Sequence, residues 1–320
     1  MKILITGSAG FIGFHAVKEF ISRGWEVFGI DNFNDYYDVR LKRNREAMLS
    51  KLLGYSSREL DICDLEGLKK VFSDENPDVV LNLAAQPGVR YSITHPFVYQ
   101  KTNLEGFLNV LECCRHAEKK PKLVYASSSS VYGGTKKMPF EESDQVDTPV
   151  SLYAATKKAN ELMAHTYSHL YGIQCIGLRF FTVYGDWYRP DMALSLFADA
   201  MLHDKPIKVF NNGDMLRDFT YVDDIVNGIV RVVECDSLPK CDIYNIGNHK
   251  SEKLLDVIQV LADALSVKPK MEMLPMQAGD VYATYASIDK LRTAVGYEPT
   301  TTIKAGIPVF ANWYREYHGL

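Results

Sequence analysis

Two rhythms of apolar and polar positions alternate through the first 180 residues. Short runs rich in β-branched and other apolar residues fall at Lys2–Thr6, Glu26–Ile30, Arg58–Ile62, Val79–Leu83, Lys122–Ala126 and Gln174–Arg179. Between them lie stretches whose apolar residues recur at helical spacing, near 11–22, 40–52, 64–74, 96–118 and 151–171. Alternating strands and helices, with strands apolar on both faces, predict an α/β fold: a doubly wound parallel sheet covered by helices. Such sheets take their ligands at the carboxyl ends of the strands.

The rhythm changes after about residue 180. Pro190, Pro206, Pro239, Pro275 and Pro299 punctuate shorter elements. The expected division is a cofactor-binding domain over 1–180 and a smaller α/β lobe for substrate over 181–320, with some later segments returning to the first domain.

Composition removes several classes. The 320 residues carry 36 Lys+Arg and 40 Asp+Glu, a net charge of 36 − 40 = −4. That balance argues against a nucleic-acid partner bound through its phosphates, but not against a small anion. No apolar run is long enough to span a membrane, so no membrane partner is expected. The start, Met1-Lys2-Ile3-Leu4-Ile5-Thr6-Gly7, reads as a strand entering a turn rather than a signal peptide. Six scattered cysteines without Cys-x-x-Cys spacing suit reduced thiols and a cytoplasmic location.

The candidate chemistry starts at Gly7-Ser8-Ala9-Gly10-Phe11-Ile12-Gly13, directly after the first strand. Glycines there permit a tight turn and close approach of backbone to a pyrophosphate, while the following helix offers free N–H groups and a positive dipole end. Asp31 ends the second strand, where a carboxylate accepts bonds from a ribose 2′-hydroxyl and repels a 2′-phosphate. The two features together predict a Rossmann-like site for NAD rather than NADP. The plainer reading of Asp31 is a loop cap; Arg40, Lys42 and Arg43 could serve a 2′-phosphate, but their plainer reading is a solvated helix face.

The spacing Gly-x-x-Gly-x-x-Gly resembles the extended branch of the short-chain dehydrogenase/reductase superfamily. That resemblance directs attention to Tyr-x-x-x-Lys, of which two stand out: Tyr132…Lys136 and Tyr153…Lys157. Gly133-Gly134 disfavours a helix after Tyr132, whereas Ser151 can cap a helix that puts Tyr153 and Lys157 on one face. The second pair is therefore the catalytic candidate. A tyrosine needs about 3 pK units, roughly 4 kcal/mol, to be half ionised near pH 7. Lys157 and the positive nicotinamide ring are the expected sources. Counting back from Val131-Tyr132-Gly133, the resemblance puts the family's catalytic Ser/Thr at Ser128, at the end of the fifth strand. It also implies Asn32, Asp61, Ile62, Leu83 and Ala84 as further cofactor contacts.

The next two positions, Ser129 and Ser130, bear on the reaction. Related nucleotide-sugar 4,6-dehydratases carry Asp-Glu there, and related UDP-glucuronate decarboxylases carry Ser-Glu. Two hydroxyls leave a C4 ketone without onward proton chemistry, so it can only be reduced again, on either face. Three further stretches, 85–91, 184–193 and 213–224, look like those of UDP-glucuronate 4-epimerases. This resemblance implies Ser128, Ser129, Ser130, Arg189 and Arg90 near a sugar carboxylate, Thr182 near the sugar or uracil, Phe210 stacked on uracil, and Arg217 on the diphosphate. It implies a homodimer through the helices over 96–118 and 151–171. Two departures stand out: Met276-Gln277-Ala278-Gly279-Asp280 lacks the arginine that many relatives carry before the glycine, and Asp186 replaces a frequent proline. A neutral UDP-hexose epimerase, a decarboxylase and a non-catalytic NAD-sensing regulator remain alternatives. His165 and His169, one turn apart, suggest packing or subunit contact, and no metal site is expected.

Overall fold

The computed structural model describes residues 1–276 and 282–320. Its strands, in chain order, are β1 (Lys2–Thr6), β2 (Glu26–Asp31), β3 (Tyr55–Glu59), β4 (Val79–Asn82), β5 (Lys122–Ser128), β6 (Cys175–Phe180), β7 (Thr182–Tyr184), β8 (Ile207–Val209), β9 (Leu216–Arg217), β10 (Phe219–Tyr221), β11 (Cys241–Ile246), β12 (Glu252–Lys253) and β13 (Met271–Met273). Seven of them form one sheet in the order β11-β6-β5-β4-β1-β2-β3. Every pairing in it is parallel. The remaining strands make three two-stranded pieces: β7 with β10, β9 with β12 and β8 with β13.

The helices are α1 (Phe11–Ser22), α2 (Val39–Leu49), α3 (Leu65–Glu75), α4 (Tyr91–Thr94), α5 (Pro96–Tyr99), α6 (Phe107–His116), α7 (Leu152–Tyr171), α8 (Ala193–Leu202), α9 (Val222–Glu234), α10 (Leu254–Ala264), α11 (Asp289–Val295) and α12 (Ile303–His318). Strand alternation sends side chains to two cores. Ile3, Ile5, Val79 and Leu81 face one that includes Phe14 and Val17 of α1 and Ile225 and Ile229 of α9. Leu4 and Val80 face the other, with Leu68 of α3, Val110 of α6 and Ala164 of α7. This two-sided burial is why the strands read as apolar runs rather than alternating ones.

Two predicted elements differ. The third strand lies at 55–59 rather than 58–62, because its register is set by pairing from Val27↔Tyr55 to Asp31↔Glu59. Leu60 then turns back, its N–H bonded to the Asp31 carbonyl. The helix predicted over 96–118 is α5 and α6 joined by a π-helical turn at Gln100–Gly106. The widened turn includes Asn103, whose amide donates to the Gln86 carbonyl and the Thr156 hydroxyl, while its own carbonyl accepts from Asn160. These contacts tie the loop after β4 to α7.

β1 sits beside both β2 and β4, so successive connections leave it in opposite directions. That switch in strand order opens a crevice at the carboxyl ends, where the candidate residues collect.

Candidate active site

The turn between β1 and α1 is built for close approach. Gly7 has φ +72°, and a Cβ there would stand 2.9 Å from the Ala84 nitrogen. A Cβ on Gly13 would stand 2.1 Å from the Gly7 carbonyl oxygen, which no packing adjustment accommodates. α1 begins at Gly10 without a side-chain cap, leaving its first N–H groups to other acceptors. Asp31 is buried, and burial pushes its carboxyl above the usual range. One oxygen accepts the Phe33 N–H at 2.8 Å, so Asp31 caps its own loop as well as lining the cleft. Asn32 donates to Asp61 at 2.8 Å, holding the ends of β2 and β3 together.

Ser151 caps α7 by accepting the Ala154 N–H at 3.1 Å, and that helix carries Tyr153 and Lys157 one turn apart. Lys157 is buried, and its ammonium donates to the Ala126 carbonyl at 2.9 Å. Burial lowers it to about 8. The Ser128 hydroxyl lies 3.1 Å from that of Ser130 and accepts the Ser130 N–H at 3.1 Å. Burial raises the Tyr153 phenol, while a hydrogen bond with Ser128 and the charge of Arg189 act the other way. The sequence predicts lowering by Lys157 and the nicotinamide ring together; in the protein alone the phenol is raised. Desolvation dominates, and the ionised form must be favoured by whatever cation binds beside it.

Tyr132, the rival tyrosine, is occupied elsewhere. It lies in a 3₁₀ turn at Ser129–Tyr132, followed by Gly133 at φ +61°. Its hydroxyl donates to Asn245 at 2.7 Å and accepts from Arg179 at 2.9 Å. Arg179 in turn pairs with Glu161 through two bonds of 2.8 and 2.9 Å, and Ser127 donates to the same carboxylate.

On the far wall, Arg189 pairs with Asp191, and Tyr36 donates to that carboxylate at 3.1 Å. The Arg90 guanidinium sits 5.2 Å from the Phe210 ring centre. Arg217 donates to the carbonyls of Leu216 and Tyr282. Thr182, at the head of β7, bonds through its N–H to the Asp218 carbonyl. One cleft of about 1030 Å³ is lined by all of these predicted residues: Gly7, Gly10, Phe11, Ile12, Gly13, Asp31, Asn32, Asp61, Ile62, Leu83 and Ala84 at one end, Ser128, Ser129, Ser130, Tyr153 and Lys157 in the middle, and Arg90, Thr182, Arg189, Phe210 and Arg217 beyond.

Lys42 is a correction. It is not on a solvated face: it is 5% exposed, donates to the Asn34 carbonyl and side chain at 2.9 and 2.7 Å, and lines the cleft. Arg40 and Arg43 remain on the surface, paired with Asp38 and Glu59. Tyr36 and Asp191 were also missed. No local pattern marks them, since their contact joins positions 155 residues apart. His165 and His169 are exposed on α7. Residues 277–280 of the stretch lacking an arginine lie outside the described residues.

Comparison with known proteins follows the same line. The model of the NAD dependent epimerase/dehydratase family matches residues 3–247. Protein CapI of Staphylococcus aureus is 48% identical, with 99% of each chain covered. UDP-glucuronate 4-epimerase 2 of Arabidopsis thaliana is 44% identical, over 99% of this chain and 76% of that protein. The crystal structure of a UDP-glucuronic acid 4-epimerase from Bacillus cereus, in complex with UDP-glucuronic acid and NAD, superposes with a TM-score of 0.93 at 34% identity, covering 99% of this chain and 100% of that one. With a glycine turn, a Tyr-Lys helix and a serine-ended strand meeting in one cleft, and with these relatives, the chain belongs to the NAD dependent epimerase/dehydratase family.

Proposed function

We propose that this protein is an NAD-dependent isomerase that inverts C4 of a UDP-uronic acid, interconverting UDP-glucuronate and UDP-galacturonate. The observation that carries the reading is the end of β5. Ser128, Ser129 and Ser130 line the cleft with Tyr153, and Ser129 and Ser130 are hydroxyls where the resemblance gives a dehydratase Asp-Glu and a decarboxylase Ser-Glu. The names of the Arabidopsis and Bacillus relatives agree with it.

The residues fit NAD. The Gly7–Gly13 cradle would be filled by any Cβ, the uncapped start of α1 suits a diphosphate, and Asp31 suits a ribose diol. Lys42, whose charge works against the burial that raises the Asp31 carboxyl, is held by Asn34. NAD, when bound, supplies the acceptor for the C4 hydride and the donor that returns it.

Tyr153 Oη removes the C4 hydroxyl proton as hydride leaves C4, giving a 4-keto sugar. Ser128 holds the same oxygen by hydrogen bonding, and Lys157 lies one helical turn further along α7. Arg217 and Phe210 anchor the nucleotide, with Arg90, expected near the carboxylate, over the Phe210 ring instead, so the sugar can turn about its bonds to the diphosphate while UDP stays fixed. Hydride then enters the other face and Tyr153 returns the proton to the C4 oxygen. Electrons and protons balance within each turnover, with no net redox change. The Ser129 and Ser130 hydroxyls and Arg189 hold the C6 carboxylate so that the C5–C6 bond stays out of line with the C4 carbonyl, which keeps the β-keto acid from losing CO₂.

The protein is further read as a cytoplasmic homodimer. No helix among the described residues is long and apolar enough to cross a membrane. Phe97, Leu162 and Leu170 stand 81, 58 and 60% exposed on α5 and α7, an apolar surface suited to a second copy.

The test is incubation with UDP-glucuronate and, separately, UDP-glucose, with chromatographic separation of the sugars. UDP-galacturonate from the first is the expected product. Turnover of UDP-glucose alone would move the assignment to a neutral-sugar epimerase, and turnover of neither, with NAD bound, to the regulator reading.

A further inference from the structure

We propose that Arg45, a residue of α2 outside the predicted site, is a positioning residue that couples occupancy of the cofactor turn to the order of the substrate wall. Arg45 is 0% exposed. Its Nη1 donates to the Ala9 carbonyl at 2.9 Å and to the Tyr37 hydroxyl at 3.0 Å. Its Nη2 donates to the Trp187 carbonyl at 2.5 Å. One planar group thus holds both the peptide that leads into α1 and the peptide two residues before Arg189.

The partners are unusual for a buried cation. All three acceptors are uncharged, and among the described residues no carboxylate oxygen forms an ion pair with Arg45. One carboxylate that feels its charge is Asp31 at the end of β2, which the Arg45 field favours in its ionised form without a direct bond. Ala9 lies within the Gly7–Gly13 turn that would hold the cofactor diphosphate, so the Arg45 charge, donated into the Ala9 carbonyl, would favour an anion in that turn. The substrate wall is strained where Arg45 grips it. Trp187 has φ +55°, in the left-handed region that residues with a side chain rarely adopt. His15 of α1 bonds the preceding carbonyl, Asp186, at 3.1 Å, and the Phe11 ring packs on Tyr188 with centroids 5.0 Å apart. Consecutive carbonyls of the 186–187 turn are therefore fastened to the cofactor side, and Arg189 leaves from that turn.

A lysine cannot reproduce this. It offers one compact donor group, whereas the guanidinium reaches acceptors on separate segments at once. Both ligands bias the same fastening, so binding of one favours binding of the other, and by linkage the effect is reciprocal.

The inference rests on the cofactor and substrate roles assigned above, and its test separates them. NAD affinity is measured calorimetrically in a Tyr153→Phe background, in which turnover is expected to be slowed by about 10²–10⁴-fold, in the absence and presence of saturating UDP-glucuronate. The parent is expected to bind NAD about tenfold more tightly with the sugar present. Arg45→Lys is expected to bring that ratio close to one while each ligand still binds. Tyr37→Phe, which removes one acceptor and leaves the charge, is expected to reduce the ratio by a smaller factor, and it decides the matter if Arg45→Lys does not fold. An unchanged ratio in the folded variants overturns the proposal, as does a parent ratio of one. A parent that binds no NAD overturns the cofactor reading itself and this inference with it.

Discussion

Asp191 holds Arg189 along one edge of the guanidinium, Nε to Oδ1 at 3.0 Å and Nη2 to Oδ2 at 2.5 Å. Tyr36 donates to the same carboxylate and lies 5.9 Å from the guanidinium, ring centre to carbon. Asp191 thereby fixes how Arg189 faces the cleft. Asp191→Ala is expected to raise KM for UDP-glucuronate by about tenfold, with a smaller effect on kcat, because a two-point charge-assisted contact is worth roughly 1.5–3 kcal/mol. Steady-state kinetics check this, and an equal fall in kcat at unchanged KM counts against it.

Tyr153 is raised by burial in the protein alone. Difference absorbance between wild type and Tyr153→Phe, both without cofactor, is expected to show no phenolate from this residue at neutral pH. Saturating NAD is expected to move the transition downward. Tyr153→Phe should lower turnover by about 10²–10⁴-fold while leaving NAD binding in place.

Lys157 titrates at about 8 in the cofactor-free protein, against about 10.4 for an ordinary lysine. The sign follows: the unfolded chain keeps this proton to higher pH, so the fold gains stability as pH rises from about 8 to about 10.4. Below that window the fold must bury an ammonium. Amine labelling read by mass spectrometry is expected to show half-maximal reactivity of Lys157 near pH 8. A midpoint at the ordinary lysine value would refute it.

Tyr132 supports the structure without taking part in the chemistry. Removing its hydroxyl strands Arg179 and Asn245 in a buried network. Tyr132→Phe is expected to destabilise the fold by about 1–3 kcal/mol. Chemical denaturation measures that loss, and kcat of the folded fraction should be unchanged.

Ser130 joins Ser128 through both its hydroxyl and its N–H. Ser130→Ala, and likewise Ser129→Ala, is expected to raise the proportion of decarboxylated UDP-pentose relative to epimerised uronate. Product chromatography reads the ratio directly. A constant ratio with lower total turnover would remove these hydroxyls from control of the C5–C6 bond.

What the sequence showed and what it hid divide on a physical line. Gly7, Gly10 and Gly13, Asp31 at the end of β2, and Ser151 before Tyr153 are local requirements of backbone geometry and capping, so they leave a trace in the sequence, and the family resemblance points to the Tyr153–Lys157 pair. Lys42 was misplaced because helix pattern does not say that Asn34 folds back to bury it. Asn103 was hidden because a π-helical turn leaves no trace in a 3.6-residue pattern. The third strand slipped because an edge strand, exposed along much of its length, takes its register from its neighbour rather than from its own apolar residues.

β11 lies against β6, with Cys241 beside Cys175. During synthesis β6 therefore leaves the ribosome with one flank bare, and its permanent neighbour arrives some 60 residues later. Until then that bare flank is an unpaired row of peptide groups, able to recruit a strand from another nascent chain. A chain that stalls or is truncated shortly after residue 180 would expose this edge for good. Inclusion bodies, rather than a shorter functional protein, are the expected fate of such a fragment.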